Sequence, residues 1–122
     1  MSDDFLKLAR KEIQGELDSL QEILSHCHND ADITRYGKDI EKHLHKIKGL
    51  APMMGQEGIG EIARLNDAIV RHIIANGNLV DTYETLSESI KIMKGVFENS
   101  NNANVEQIKS KLLQTFPNVL NQ

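Results

Sequence analysis

Tyr36-Gly37-Lys38-Asp39-Ile40-Glu41-Lys42-His43-Leu44-His45-Lys46-Ile47-Lys48-Gly49-Leu50-Ala51-Pro52-Met53-Met54 decides the fold class. At about 100° per residue, Tyr36, Ile40, Leu44, Ile47, Ala51 and Met54 converge on one side of a helix. The spacing predicts an amphipathic helix running from near Asp32 to Met54, closed by Gly55. His45 points roughly 160° away from the middle of that stripe, with Lys48 and Gly49 one turn further along the exposed side. A mid-helix glycine costs about 1 kcal/mol against alanine. At Gly49 it removes the side chain that would stand beside the imidazole at i+4. Pro52 falls on the same outer side, where an interior proline bends a helix around the core rather than into it.

The same period runs through the rest of the chain. Ser2, Asp3 and Asp4 supply N-cap chemistry for a first helix with the seam Phe5, Ala9, Ile13, Leu17, Leu20 and Leu24. A third helix buries Ile59, Ile62, Asn66, Ile69, Val70 and Ile73 and stops at Asn76-Gly77-Asn78; Asn66, inside the stripe, needs a hydrogen-bond partner. Tyr83, Leu86, Ile90, Met93 and Phe97 alternate by three and four in a fourth helix. After the polar break Asn99-Ser100-Asn101-Asn102-Ala103-Asn104, a fifth places Val105, Ile108, Leu112 and Phe116 inward and ends at Pro117. Short connections make successive helices antiparallel neighbours. The expectation is an all-α fold: an antiparallel four-helix bundle over about 3–99, with an additional C-terminal helix over about 104–118. Residues 1–122 form one domain in this reading.

Composition narrows the function. The formal net charge of -4 supplies no Lys/Arg stripe for nucleic acid and no attraction to an anionic membrane. No apolar run approaches the ~18–20 residues of a membrane-spanning helix, and Met1-Ser2-Asp3-Asp4 lacks the basic and apolar regions of a signal peptide. The single Cys27 cannot form an internal disulfide, which suits a reducing cytoplasm. The chain also lacks a Gly-rich phosphate loop, a G-x-S-x-G elbow and any paired metal-ligand motif, so it does not read as an enzyme with its own active site. His26-Cys27-His28 is no metal cluster by spacing, because consecutive helical residues diverge by about 100°. His43 lies within the apolar arc of its helix and reads as a structural histidine.

An accessible imidazole, a cation one turn away and a cleared approach suit phosphoryl acceptance. A neutral imidazole leaves one ring nitrogen free as a nucleophile. Phosphoryl transfer passes through a loose transition state, so positioning and charge neutralisation carry most of the catalysis. A carboxylate accepting from the other ring N–H would select the tautomer and hold the ring.

His45-Lys46-Ile47-Lys48-Gly49-Leu50-Ala51, with Gly55 ten residues after the histidine, resembles the motif of histidine-containing phosphotransfer domains. The form at the N-terminus of chemotaxis-type histidine kinases is the most similar. The resemblance implies a phosphoryl carrier in a two-component phosphorelay, with His45 as phosphoacceptor, Lys48 as the nearby cation and Gly49 as the clearance glycine. It places Asp67 as the carboxylate on the third helix, where the family usually has the longer Glu. Arg64 replaces a second histidine of that family and adds a fixed charge. Gly49, Pro52 and Arg64 would then face the partner, a receiver domain, a histidine kinase or both. The chain needs no cofactor or metal of its own in this reading, since Mg²⁺ and the acceptor aspartate belong to the partner. Whether it acts alone or within a larger kinase is left open by the sequence. The rival reading is a non-catalytic helical interaction module, which leaves Gly49 unexplained.

Overall fold

A computed structural model describes residues 2–121; the outer limits of the anticipated domain, Met1 and Gln122, lie outside them. Among the described residues the fold is all-helical, with seven helices and no strand. Helix α1 spans Asp3–Ser25, and the Ser2 hydroxyl accepts from the Phe5 amide at 3.2 Å, satisfying a free N–H of the first turn. Its buried seam is Ala9, Ile13, Leu17 and Leu20. The seam is shorter than the sequence pattern, because Phe5 is exposed and Leu24 only partly buried. At 23 residues α1 is about 34 Å long, longer than the helices it lies against, so its ends overhang the core.

The helix expected from Asp32 to Met54 is two helices, α2 (Asp30–Arg35) and α3 (Gly37–Met53), with Tyr36 as the hinge. Two long-range contacts account for the break. The Asp30 carboxylate accepts from the Asp81 and Tyr83 amides at 2.9 and 2.8 Å, which ties α2 to the segment leading into a later helix. Gly37 also lies so close to its neighbour that an added Cβ would meet Ile74 Cγ1 at 3.1 Å. The α3 stripe itself is as the period requires: Ile40, Leu44, Ile47 and Ala51 are fully buried. Pro52 is exposed and falls in the last turn, so the anticipated bend has almost no helix left to act on. Gly55, at φ 75°, makes the left-handed turn out of α3.

Helix α4 (Glu57–Asn76) is the most buried, and the Asn66 amide finds the partner its burial demands in the Ile62 carbonyl at 2.9 Å. Helix α5 (Thr82–Asn99) buries Leu86, Ile90, Met93 and Phe97, and its buried Thr85 and Ser89 hydroxyls donate to the carbonyls of Asp81 and Thr85. The single C-terminal helix of the sequence reading is also two, α6 (Val105–Thr115) and α7 (Pro117–Leu120). A residue preceding proline is pushed out of the α region, so the chain turns at Phe116 and restarts with Pro117 in the first turn of α7. The α3–α4 pair is the most extensive contact; α1 packs on α3 and α5, α4 on α5, α6 on α4 and α5, and α7 on α4. No helix among the described residues is long and apolar enough to cross a membrane.

Candidate functional site

The outer face of the α3–α4 pair gathers five charged or titratable side chains. Glu41, His45 and Lys48 come from α3 at i, i+4 and i+7, one face of a helix. Asp67 and Arg71 come from α4, again one turn apart. The His45 side chain is 55% exposed while Asp67 is only 2% exposed, so an accessible imidazole sits above a buried carboxylate. Lys48 Nζ donates to Asp67 Oδ2 at 3.0 Å, and Arg71 Nε stands 3.4 Å from the same oxygen. Arg71 also reaches Glu41 Oε2 at 3.5 Å. His45 turns Nδ1 towards this cluster: Arg71 Nη2 is at 3.4 Å, Asp67 Oδ2 at 3.7 Å and Glu41 Oε2 at 3.8 Å.

The two carboxyl groups are driven apart in acidity, as close pairs are. The neighbouring Asp67 carboxylate holds the Glu41 carboxyl above the ordinary range, and burial adds to this. For Asp67 burial acts upward, yet the hydrogen bonds with Glu41 and Lys48 and the charges of Lys48 and Arg71 outweigh it. Asp67 therefore stays below its ordinary value and is ionised at neutral pH. Glu41, His45 and Asp67 lie close enough to hold a cation, with ligand atoms within 4.8 Å of one another. Lys48 and Arg71 already balance the two carboxylates, however, and a divalent ion would have to displace Arg71 from Asp67.

Of the residues singled out in the sequence, His45, Lys48 and Asp67 come together in this cluster. Gly49 lies on the exposed side, and a Cβ added there would meet nothing within 4 Å. Pro52 packs its ring on Gly60, where an added Cβ would be 2.8 Å from Cγ. Pro52 and the exposed Arg64 line a shallow groove beside the cluster, together with Lys48, Glu57, Gly60 and Glu61. The arginine at the imidazole is thus Arg71, two helical turns beyond Arg64.

Sequence reasoning passed over Glu41 and Arg71. Both carried a signal, since Glu41 stands four residues before His45 and Arg71 four after Asp67, the offsets at which helical side chains meet. His43 is a structural histidine, as its position in the apolar arc implied. Its ring is 16% exposed and bonds Glu16 of α1 at 2.5 Å, while Lys46 reaches the other Glu16 oxygen at 3.4 Å. His26 and His28 are exposed whereas Cys27 is buried, so those three donors do not converge. Burial first, then the nearby Asp32 carboxylate, pushes the Cys27 thiol up, away from the thiolate a metal would need.

Comparison with protein-family models, with curated proteins and with solved structures gives no match to this chain.

Proposed function

We propose that the chain is a phosphoryl carrier of the histidine-containing phosphotransfer type, taking a phosphoryl group onto His45 from a receiver-domain aspartate and returning it to another. The observation that carries this reading is the half-exposed imidazole whose Nδ1 faces a buried, ionised carboxylate flanked by two cations. That arrangement leaves Nε2 as the nitrogen open to a partner. In the transfer the Nε2 lone pair attacks phosphorus, the N–P bond forms, and the P–O bond to the aspartate breaks with its electron pair leaving on the carboxylate. The ring gains positive charge, which Asp67 stabilises from the Nδ1 side. Lys48 and Arg71 offset charge on the phosphoryl oxygens. Mg²⁺ comes with the receiver.

The fold belongs to the same proposal. Helices α1, α3, α4 and α5 contact one another in a closed circuit, α1 to α3 to α4 to α5 and back to α1, which supports an antiparallel four-helix bundle with α6 and α7 appended. Gly49, Pro52 and Arg64, on the outer surface next to His45, form the face that meets the receiver or kinase. A cytoplasmic carrier without kinase chemistry, nucleic-acid binding or membrane attachment is the consistent setting. The test is incubation with a panel of phosphorylated receivers, followed by mass mapping of the modified peptide. Modification on the peptide holding His45 supports the reading. Uptake on a different residue contradicts it, and no uptake from any receiver favours a helical interaction module.

A further inference from the structure

Two kinds of group compete for Nδ1 of His45, and they demand opposite tautomers. Arg71 Nη2 lies at 3.4 Å, whereas Asp67 Oδ2 and Glu41 Oε2 stand further off at 3.7 and 3.8 Å. A guanidinium can only donate, so at the nearest contact Nδ1 must accept. The one proton of the neutral ring then sits on Nε2, and the outward nitrogen has no lone pair with which to attack. An ionised carboxylate can only accept, so pairing with Asp67 would put the proton on Nδ1 and make Nε2 the nucleophile.

We propose that Arg71 is a positioning residue that holds His45 in its unreactive tautomer at rest, and that an incoming phosphoryl group activates the ring by drawing the guanidinium off Nδ1. This rests on the phosphotransfer reading of the site. Arg71 is suited to such a move, being 55% exposed and held at 3.4–3.5 Å rather than at close hydrogen-bond distance. Lys48 also donates to Asp67 Oδ2 at 3.0 Å, so that oxygen keeps a cationic partner when Arg71 leaves. A phosphoryl group offers three charged oxygens, a better match to the guanidinium fork than one imidazole nitrogen. Once Arg71 has gone, the Nε2 proton passes to water and Nδ1 takes one from water, with no change in charge. A small ring movement closes the gap to Asp67, and Nε2 then attacks as above. The resting protein is thereby protected from stray electrophiles, and activation requires the dianion itself.

The experiment reads the tautomer directly, in the full chain labelled with ¹⁵N at histidine, by NMR of the ring nitrogens at about pH 8.5, where an ordinary imidazole is neutral. The parent should be mainly Nε2–H. In Arg71→Ala, whose exposed site leaves the fold intact, the ratio of Nε2–H to Nδ1–H should fall by roughly threefold to tenfold, as loss of one long, half-exposed hydrogen bond implies. Inorganic phosphate added to the parent should move the ratio in the same direction and should not move it in Arg71→Ala. A parent already Nδ1–H, an unchanged ratio in Arg71→Ala, or a parent indifferent to phosphate would each overturn the proposal. None of these readings needs a receiver. Failure of His45 to take up phosphoryl label would therefore refute the carrier function while leaving the tautomer result to stand by itself.

Discussion

Gly49 separates stability from function more sharply than any other position. Its Cβ would meet nothing within 4 Å, so replacing it neither gains nor loses a packing contact. What remains is backbone propensity. Alanine in a helix interior is favoured over glycine by about 1 kcal/mol, which for a chain of this size raises the melting temperature by roughly 2–6 °C. Two other glycines provide controls: Gly15 in α1 and Gly95 in α5 are also helical with nothing within 4 Å. All three alanine variants should be stabilised to the same degree in thermal melts followed by circular dichroism. Gly60→Ala should go the other way, because its Cβ would press on the Pro52 ring at 2.8 and 2.9 Å. The functional arm uses Gly49→Leu, which keeps most of the propensity gain and fills the open approach beside His45. Transfer from a phosphorylated receiver should be blocked in Gly49→Leu and normal in Gly15→Leu. A stabilised Gly49→Leu that takes up phosphoryl groups at the parental rate would refute the clearance role. Failure of Gly49→Ala to gain stability would refute the placement of Gly49 as a free helical position.

Two further outcomes follow from the Asp67 cluster. Lys48→Ala should slow transfer and also lower stability by about 1.5–3 kcal/mol, because it removes a charge-assisted bond to a buried carboxylate; a chemical-denaturation midpoint identical to the parent would show that Arg71 alone satisfies Asp67. Glu41→Gln should raise stability at neutral pH. Glu41 has a raised folded pKa, so its ionised form is disfavoured in the native state and the cost is present above that pKa. As pH falls through the raised pKa, parental Glu41 takes up its proton and the advantage of glutamine should shrink; an advantage independent of pH would show that carboxylate repulsion is not its source. Asp67 has the opposite sign, so its contribution persists down to its ordinary value of 3.8 and is lost only below it.

Most of the helical layout was legible because buried stripes at 3.6-residue spacing leave a strong mark. Leu17, Leu44, Ile47, Ile62, Ile69, Leu86, Ile90 and Met93 are all buried as the period requires, and only Leu24 is less so. The breaks were harder to see. Tyr36 continues the α3 stripe in sequence, yet the chain hinges there because Asp30 is fastened to amides fifty residues away and Gly37 is pressed against Ile74. Neither cause is local, so no window of sequence contains it. The break at Phe116 was readable in principle, since Pro117 marks it, but proline fits the first turn of a new helix as well as the end of an old one.

At the site, the single-helix relation of His45, Lys48 and Gly49 was legible and the cross-helix partner was half legible. Arg64 and Arg71 differ by two turns on α4, and only the register of α4 against α3 decides that Arg71 meets His45. The burial of Asp67 is likewise a property of the pair of helices, since its position on α4 alone reads as a solvated flank.

The central claim is that His45 is the phosphoryl acceptor, and one measurement tests it most directly. Parent and His45→Gln proteins are labelled from a phosphorylated receiver, each sample is split between acid and alkali, and the retained label is counted. An exposed mid-helix position tolerates the substitution within about 0.5 kcal/mol, so matched melting curves confirm that any difference is chemical. A phosphoryl group on imidazole nitrogen is a phosphoramidate, so the parental label should be lost in acid and survive alkali, and His45→Gln should take up none. Label that persists in His45→Gln, or parental label that survives acid, would contradict the account.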